Sequence, residues 1–163
     1  MEKQKKLPVH HIDASVFVGM LIKPKKSKNS YSKDCRAYLE YKVGKKCYGK
    51  VSLLCVGEIV KAISVQEAKD QWETQKERSN ILSDLLLILD KKSIDFWSPQ
   101  FGCMEKALKI NEDNQYEPAD TLHLSCASQD EDCSVFVTLE DDLINNKYLE
   151  KLLNIKIKHP SAI

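Results

Sequence analysis

Apolar positions along the chain form short runs whose spacing alternates between that of strands and that of helices. Five runs have the character of strands, the last of them a terminal edge strand: Val9 to Met20, Lys50 to Ser52, Ile94 to Trp97, Ser134 to Leu139 and Ile155 to Ile157. Helical spacing is found between them, over residues 34–41, 53–63, 81–89, 100–110, 118–127 and 149–153. Strands that alternate with helices imply right-handed crossovers and helices on both faces of a parallel sheet. The pattern therefore predicts an α/β fold, a three-layer α/β/α Rossmann-like arrangement around a central, mostly parallel sheet of about five strands.

Several residues predict where helices begin and end. Ser52 is expected to cap the apolar helix that follows it, and Gly44 to close the helix before it. The segment Ser64-Val65-Gln66-Glu67 is typical of a capping box and predicts the start of a second, polar helix. Pro118 at the first position of a helix places Asp120 in its first turn, where the helix dipole favours a carboxylate. The helix over 100–110 has four apolar residues on one side: Phe101, Met104, Ala107 and Leu108.

Length and composition indicate one folded domain. The chain has 163 residues, of which 42% are hydrophobic and 30% charged, so it has enough apolar material for a packed core. We expect a single domain over residues 1–163, with a core of about 9–157, a basic N-terminal tail 1–8 and a short C-terminal tail 158–163. With 25 basic against 24 acidic residues, no overall charge drives the protein onto nucleic acid or an anionic membrane. Binding of that kind has to use a local patch.

The cysteines and the absence of long apolar segments suggest where the protein works. None of the six cysteines forms a C-x-x-C pair, and Cys55 lies inside an apolar run. Reduced, mostly buried thiols fit this pattern better than a disulfide framework or a zinc site. The chain has no apolar run of 18 residues and no signal-peptide core after Met1. We therefore expect a cytoplasmic protein that does not contact a membrane.

Acidic residues lie where the predicted strands end. Asp13 follows the first strand, Asp120 starts a helix that faces the same edge of the sheet, and Glu140-Asp141-Asp142 follow a later strand. Glu58 comes from a mostly apolar helix. In an open α/β sheet, ligands bind beyond the carboxyl ends of the strands, and carboxylate oxygens select Mg²⁺ or Mn²⁺. The alternative is that some of the 24 acids fall near strand ends by chance and that Asp120 serves only the helix dipole.

Four segments, in this order, resemble the PIN-domain nucleases. They are a strand with an acid and a small polar residue, a Ser-to-Glu helix, an Asp-x-Leu-His-Leu helix and a strand followed by acids: His11 to Phe17, Val51 to Ile59, Ala119 to Ala127 and Val135 to Leu143. Each motif alone is weak, but the four in order span the chain from residue 9 to about residue 157. The resemblance implies that the single domain has the PIN fold.

The resemblance also implies the residues of a catalytic centre. They are four catalytic, metal-binding acids with two supporting hydroxyls: Asp13, Glu58, Asp120 and Glu140, with Ser15 and Thr138. In the family, an Asp or Asn usually stands two residues after the Thr, where this chain has Glu140. Asp142 lies two residues further and is the alternative fourth metal ligand. Either residue is able to complete a site for one or two Mg²⁺ or Mn²⁺ ions.

The activity implied by the resemblance is that of a Mg²⁺- or Mn²⁺-dependent endoribonuclease, which hydrolyses RNA to leave a 3′-hydroxyl and a 5′-phosphate. It would act either as the toxin of a toxin–antitoxin pair, like the VapC-like ribonucleases, or as an RNA-processing nuclease. The replacement of the usual Asp or Asn by Glu140 leaves an alternative, a PIN-fold RNA-binding module with weak or no catalysis. The expected partners are RNA, a cognate antitoxin and a second copy of the chain. The apolar stretch Ile81 to Leu89 is either a dimer surface or part of the core.

A lysine-rich loop follows the first acid and is the candidate substrate-binding segment. It carries four cations: Lys23, Lys25, Lys26 and Lys28. These side chains suit backbone phosphates, with a binding strength that falls as salt rises, and they equally suit a solubilising surface loop. His123 lies one turn after Asp120, and a lone histidine between two leucines is more often a packed or hydrogen-bonded core residue than a catalytic group.

Overall fold

Five strands form one sheet in the computed structural model, which describes residues 6–21, 31–68, 75–112 and 116–163. The strands are β1 Val9–Ile12, β2 Tyr48–Ser52, β3 Asp95–Trp97, β4 Cys133–Val137 and β5 Lys156–Lys158. The helices of the described residues are α1 Ala14–Leu21, α2 Tyr31–Tyr41, α3 Leu53–Ala68, α4 Gln75–Lys91, α5 Phe101–Asn111, α6 Pro118–Gln129 and α7 Lys147–Leu153, and a short 3₁₀ turn, Pro160–Ala162, follows β5.

The strands lie in the order β3-β2-β1-β4-β5, and each described pair is parallel. The prediction of an α/β fold around a parallel sheet is confirmed. The first strand is central, with β2 and β3 added on one side and β4 and β5 on the other. The direction of chain progression therefore reverses between β1 and β4, and the carboxyl ends of these two strands are the expected position of a ligand crevice.

Two separate apolar clusters cover the two faces of the sheet. One contains residues of β1 and β2 together with α1, α2, α3 and α4, and the other contains residues of β4 and β5 together with α5, α6 and α7. Phe136 and Val137 are consecutive residues of β4, and they belong to different clusters because successive side chains of a strand point to opposite faces. This arrangement is consistent with the predicted three layers.

The predicted strand from Val9 to Met20 is wrong, since β1 ends at Ile12 and α1 covers Ala14–Leu21. The β-branched residues Val16 and Val18 favour a strand by intrinsic preference. Packing overrides that preference, because the helix buries one of its faces against the sheet and the neighbouring helices. Asp13 occupies the single residue between the two elements.

The predicted start of a new helix at Ser64 is also wrong. Helix α3 runs without interruption from Leu53 to Ala68, and the Ser64 hydroxyl donates to the Val60 carbonyl within it at 3.0 Å. The cap at its beginning is confirmed, because Ser52 Oγ accepts from the Leu54 amide at 3.2 Å. Gly44 has a φ of 78° but lies three residues beyond the end of α2 at Tyr41, so the prediction that it closes this helix is wrong.

Helix α5 faces the core with a different side from the predicted one. Its buried residues are Cys103, Ala107 and Ile110. Three of the four residues predicted to share an apolar side are exposed: Phe101 at 77%, Met104 at 58% and Leu108 at 69%. Helix α6 begins at Pro118 as predicted, with Asp120 in its first turn.

The cysteines are free thiols, five of them buried and Cys133 half-buried, as the sequence predicts. None of the helices in the described part of the chain is long and apolar enough to cross a bilayer. The polar helix predicted around Trp72 and the loop with Lys23, Lys25, Lys26 and Lys28 fall outside the described residues.

Candidate metal centre

One carboxylate oxygen of Asp13 is held by three donors at the carboxyl end of the central strand. Asp13 is 5% exposed. Its Oδ2 accepts from Ser15 Oγ at 2.5 Å, from Thr138 Oγ1 at 3.0 Å and from the Ser15 amide at 3.3 Å. Within the described residues, every hydrogen bond to this carboxylate goes to Oδ2. The other oxygen, Oδ1, is therefore the one available to a ligand.

The same two hydroxyls tie Asp13 to the loop that follows β4. Thr138 Oγ1 accepts from the Glu140 amide at 3.1 Å, and Ser15 Oγ accepts from the Leu139 amide at 3.1 Å. The Asp13 amide donates to the Val137 carbonyl at 2.9 Å. Each hydroxyl thus donates to the carboxylate and accepts from a backbone amide, which fixes the start of the acidic segment relative to Asp13.

Helices α3 and α6 add a carboxylate, a thiol and an imidazole. His123 Nε2 donates to Glu58 Oε2 at 2.7 Å, and Cys55 Sγ lies 3.4 Å from Nδ1 and 3.9 Å from Nε2 of the same ring. Cys55 and His123 are each 1% exposed, whereas the Glu58 side chain is 36% exposed. The prediction that His123 is a hydrogen-bonded core residue is confirmed, but its partners belong to the candidate centre.

Four residues are close enough to hold one metal ion. Asp13, Cys55, Glu58 and His123 each offer one ligand atom, and these atoms lie within 4.8 Å of one another. Asp13 and Glu58 are predicted from the sequence, whereas Cys55 and His123 are not predicted as ligands. The sequence does contain a signal for these two ligands. Cys55 precedes Glu58 by three residues, and Asp120 precedes His123 by three. This spacing puts both members of each pair on one helix face.

Asp120 and Glu140 lie outside this group of four but within its electric field. Burial, together with the negative charges of Asp13 and Glu140, raises the pKa of Asp120 to about 6. The pKa of Glu140 is also raised, by burial and then by Asp13. The charge of Glu58 acts in the same direction on both acids. Asp120 and Glu140 thus lie within electrostatic range of both Asp13 and Glu58.

The alternative fourth acid, Asp142, is exposed and lies further along the loop. Its backbone carbonyl accepts from Asn146 Nδ2 at 3.5 Å. The charge of Asp142 raises the pKa of Glu140, whereas the charge of Glu140 raises the pKa of Asp120. The electrostatics therefore favour Glu140 as the acid nearer to the centre.

Protonation of His123 partly balances the charge of the acids. Burial opposes protonation of His123, but its hydrogen bonds with Cys55 and Glu58 and the negative charge of Asp13 raise its pKa to about 10. Burial raises the pKa of the Cys55 thiol, against the effect of His123. One imidazolium among four carboxylates leaves an excess of negative charge, which attracts a cation.

Comparisons with models of known protein families and with curated proteins find no match to this chain. The resemblance to PIN-domain nucleases therefore stays a prediction, carried by four sequence motifs and their order. The structure adds an independent observation, a group of residues able to hold a metal ion. The group lies near the place where the direction of chain progression reverses, between β1 and β4.

Proposed function

We propose that this protein is a metal-dependent endoribonuclease of the PIN type, which hydrolyses phosphodiester bonds of RNA. The observation that carries the proposal is the position of Asp13 at the carboxyl end of the central strand. Its Oδ2 is fixed by Ser15 and Thr138, and its Oδ1 is left for a ligand. The charges of Asp13 and Glu58 both act on Asp120 and Glu140, which supports a shared centre.

The donor set fits Mg²⁺ or Mn²⁺. Both ions prefer carboxylate and water oxygens, and the charges of Asp13 and Glu58 contribute to the raised pKa of Asp120 and of Glu140, which indicates uncompensated negative charge. We propose that Asp13, Glu58, Asp120 and Glu140 hold the ion, with Asp142 as the less favoured alternative to Glu140. A bound ion would supply an activated water and would neutralise charge that builds on the phosphate.

The residues of the chain position this chemistry. Ser15 and Thr138 hold the Asp13 carboxylate in one orientation, and His123 does the same for Glu58 at 2.7 Å. Asp120 lies in the first turn of α6, where the helix dipole stabilises its charge against the neighbouring acids. The centre is thus organised before substrate arrives, which lowers the cost of reaching the reactive geometry.

RNA is the substrate that the four motifs favour, and the basic residues Lys23, Lys25, Lys26 and Lys28 are the proposed contacts to its phosphates. The toxin and the RNA-processing roles share this chemistry, and a cytoplasmic location suits both. A cognate antitoxin is proposed as a partner only for the toxin role. A homodimer is proposed through α4, because Leu82, Leu86 and Leu87 expose an apolar surface there while Leu85 is buried.

The test is cleavage of single-stranded and structured RNAs by the purified protein with Mg²⁺, with Mn²⁺ and with a chelator. We expect cleavage with either ion, none with the chelator, and products with 5′-phosphate ends. Glu140→Gln is expected to slow cleavage more than Asp142→Asn does. The absence of cleavage on all RNAs with both ions would contradict the proposal.

A second candidate function is an RNA-binding module with weak or no catalysis. It is favoured by Glu140, which is one methylene longer than the usual Asp or Asn at this position. RNA binding that persists in Asp13→Asn, together with no cleavage by the wild type, would support this function. The two candidates differ in turnover and agree on the ligand.

A further inference from the structure

A pair of rings lies at the same edge of the sheet as the candidate metal centre, beyond the end of β5. The end of β1 pairs with Val137 of β4, and Val137 pairs with Lys158 of β5. The residues that follow these strands, Asp13, Thr138 and His159, therefore lie side by side at the carboxyl edge. Neighbouring strands are about 4.8 Å apart, so the backbone of His159 lies about 10 Å from that of Asp13. This distance is within reach of a nucleotide next to the scissile phosphate.

The ring of His159 is held in one orientation by Ser161. Its Nδ1 accepts from the Ser161 hydroxyl at 2.7 Å and from the Ser161 amide at 3.2 Å. Rotation of the ring would break both hydrogen bonds. His159 is half-buried and is thus a fixed support for whatever packs against it.

Tyr31 packs against this support and keeps an exposed surface. Its ring centroid lies 5.5 Å from that of His159, with the two planes 57° apart. Tyr31 is the first residue of α2 and is 40% exposed. An aromatic ring that is supported by the protein and still accessible to solvent is suited to stacking on a planar group such as a nucleic-acid base.

Lys158 adds a positive charge beside the two rings. It directly precedes His159 and is half-buried. None of the ion pairs between described residues involves Lys158, so its ammonium group is not neutralised by any of these acids. Aromatic rings together with basic side chains are the combination by which proteins hold single-stranded nucleic acid.

We propose that Tyr31, supported by His159, stacks on one unpaired base of the RNA substrate, and that Lys158 contacts a phosphate beside this base. The inference rests on the proposed function and deepens it, because the stacking site selects RNA that is single-stranded next to the cleaved bond. The bases of duplex RNA are already stacked on one another, so a duplex does not benefit from this site.

The test is the binding of labelled single-stranded RNA to the full chain in the presence of a chelator, measured by fluorescence anisotropy. Tyr31→Leu should weaken binding by about 5–100-fold, the effect of losing one base–aromatic stack, and Tyr31→Phe should bind like the wild type. Tyr41→Leu is the matched control, because it removes an exposed tyrosine from the other end of α2, and it should also bind like the wild type. Binding of duplex RNA should be the same for the wild type and all three variants.

A second measurement on the wild type alone keeps the proposal falsifiable if a variant does not fold. A short oligouridine that carries 2-aminopurine at one position should lose fluorescence on binding, because the base analogue stacks on Tyr31. No loss of fluorescence with the analogue at any position would overturn the stacking site. Equal binding of single-stranded RNA by the wild type and folded Tyr31→Leu, or equal weakening by Tyr41→Leu, would also overturn it.

These failures are distinguishable from a failure of the proposed function, because binding is measured without metal and cleavage is measured separately. RNA cleavage with Mg²⁺ or Mn²⁺ that is unaffected by Tyr31→Leu would overturn the stacking site and leave the nuclease proposal intact. Binding that depends on Tyr31, without cleavage by the wild type in either ion, would contradict the nuclease proposal and support the stacking site.

Discussion

At the scale of single residues, the candidate centre depends on how one carboxylate is held. Ser15 and Thr138 both donate to Oδ2 of Asp13, and a hydrogen bond to a charged group contributes about 1.5–3 kcal/mol. Thr138 is fully buried and also accepts from the Glu140 amide. Loss of this hydroxyl therefore affects two of the proposed metal-binding acids at once.

Replacing Thr138 by Val keeps the shape of the side chain and removes the hydroxyl. We expect the unfolding free energy to fall by about 1–3 kcal/mol, because a buried carboxylate loses a donor. We expect RNA cleavage to fall by about 10–100-fold, the usual effect of losing a residue that orients a metal ligand. Thr138→Ser is the matched control and should keep most of the unfolding free energy and most of the RNA cleavage. Wild-type cleavage by Thr138→Val would contradict the role given to this hydroxyl.

A buried histidine away from the centre makes the stability of the fold depend on pH. His10 is 4% exposed, with Nδ1 3.1 Å from the Tyr38 hydroxyl, and burial lowers its pKa to about 4. Between the unfolded pKa of 6.5 and the folded value, the unfolded chain binds a proton that the native state does not. Stability should therefore fall as the pH falls through this window.

His10→Gln is expected to reduce this loss of stability by up to about 3 kcal/mol between pH 7 and pH 4. The measurement is denaturant-induced unfolding of both proteins at a series of pH values. Some pH dependence should persist in the variant, because burial also lowers the pKa of His11, against the effect of Asp130. Identical pH profiles for the two proteins would contradict the prediction.

At the scale of elements, the centre is a junction between helices from opposite faces of the sheet. Helix α3 brings Cys55 and Glu58 from one face, and α6 brings Asp120 and His123 from the other. The hydrogen bond between Glu58 and His123 joins the two helices directly. The position of the centre thus depends on the docking of both layers.

The edge of the sheet depends on a second buried acid. Glu150 of α7 accepts from the Ile157 amide at 3.1 Å through Oε1, and Lys147 and Lys156 donate to its Oε2 at 3.3 Å. Glu150→Ala leaves the buried Ile157 amide unpaired, so we expect the unfolding free energy to fall by about 1–3 kcal/mol.

Two variants separate this hydrogen bond from other effects of the substitution. Glu150→Gln keeps an oxygen acceptor for the Ile157 amide and should be less destabilising than Glu150→Ala. Glu131→Ala removes an exposed glutamate and should have little effect on stability. Denaturant unfolding measures all three, and equal stability of the two Glu150 variants would contradict the role of the amide.

The sequence predicts elements well where burial and spacing agree, and it is wrong where packing decides. Helix α6 begins at Pro118 as predicted, since the proline and Asp120 are both local signals. Helix α1 is missed because Val16 and Val18 have strand preference, and the break at Ser64 is wrong because its hydroxyl bonds back within α3. Contacts outside the local sequence window determine the structure of α1, whereas at Ser64 a local bond to the carbonyl four residues earlier accompanies a continuous helix.

At the scale of the whole molecule, the near-neutral net charge conceals a separation of charge. The chain carries a net charge of +1, yet three further acids, Glu58, Asp120 and Glu140, are grouped electrostatically with Asp13. The sequence predicts this cluster because parallel strands bring their carboxyl ends to one edge. It does not predict that Cys55 and His123 complete a group of possible ligands, because that depends on how α3 packs against α6.

The lysine-rich segment gives a prediction at this scale. Replacing Lys23, Lys25, Lys26 and Lys28 by alanine should weaken RNA binding at low salt. It should also make the dependence of the logarithm of the binding constant on the logarithm of salt shallower, by about 0.7 for each RNA phosphate that the variant no longer neutralises. Fluorescence anisotropy with labelled RNA measures both. An unchanged slope would indicate a solubilising surface loop.

The measurement that tests the central claim most directly compares RNA cleavage by the wild type, Asp13→Asn and Asp95→Asn in Mn²⁺. Asp95 is an exposed acid at the start of β3, and its substitution makes the same change of charge outside the proposed set of ligands. We expect Asp13→Asn to lose about a hundredfold or more in rate and Asp95→Asn to match the wild type. Equal cleavage by Asp13→Asn and the wild type would contradict the assignment of this centre as the nuclease site.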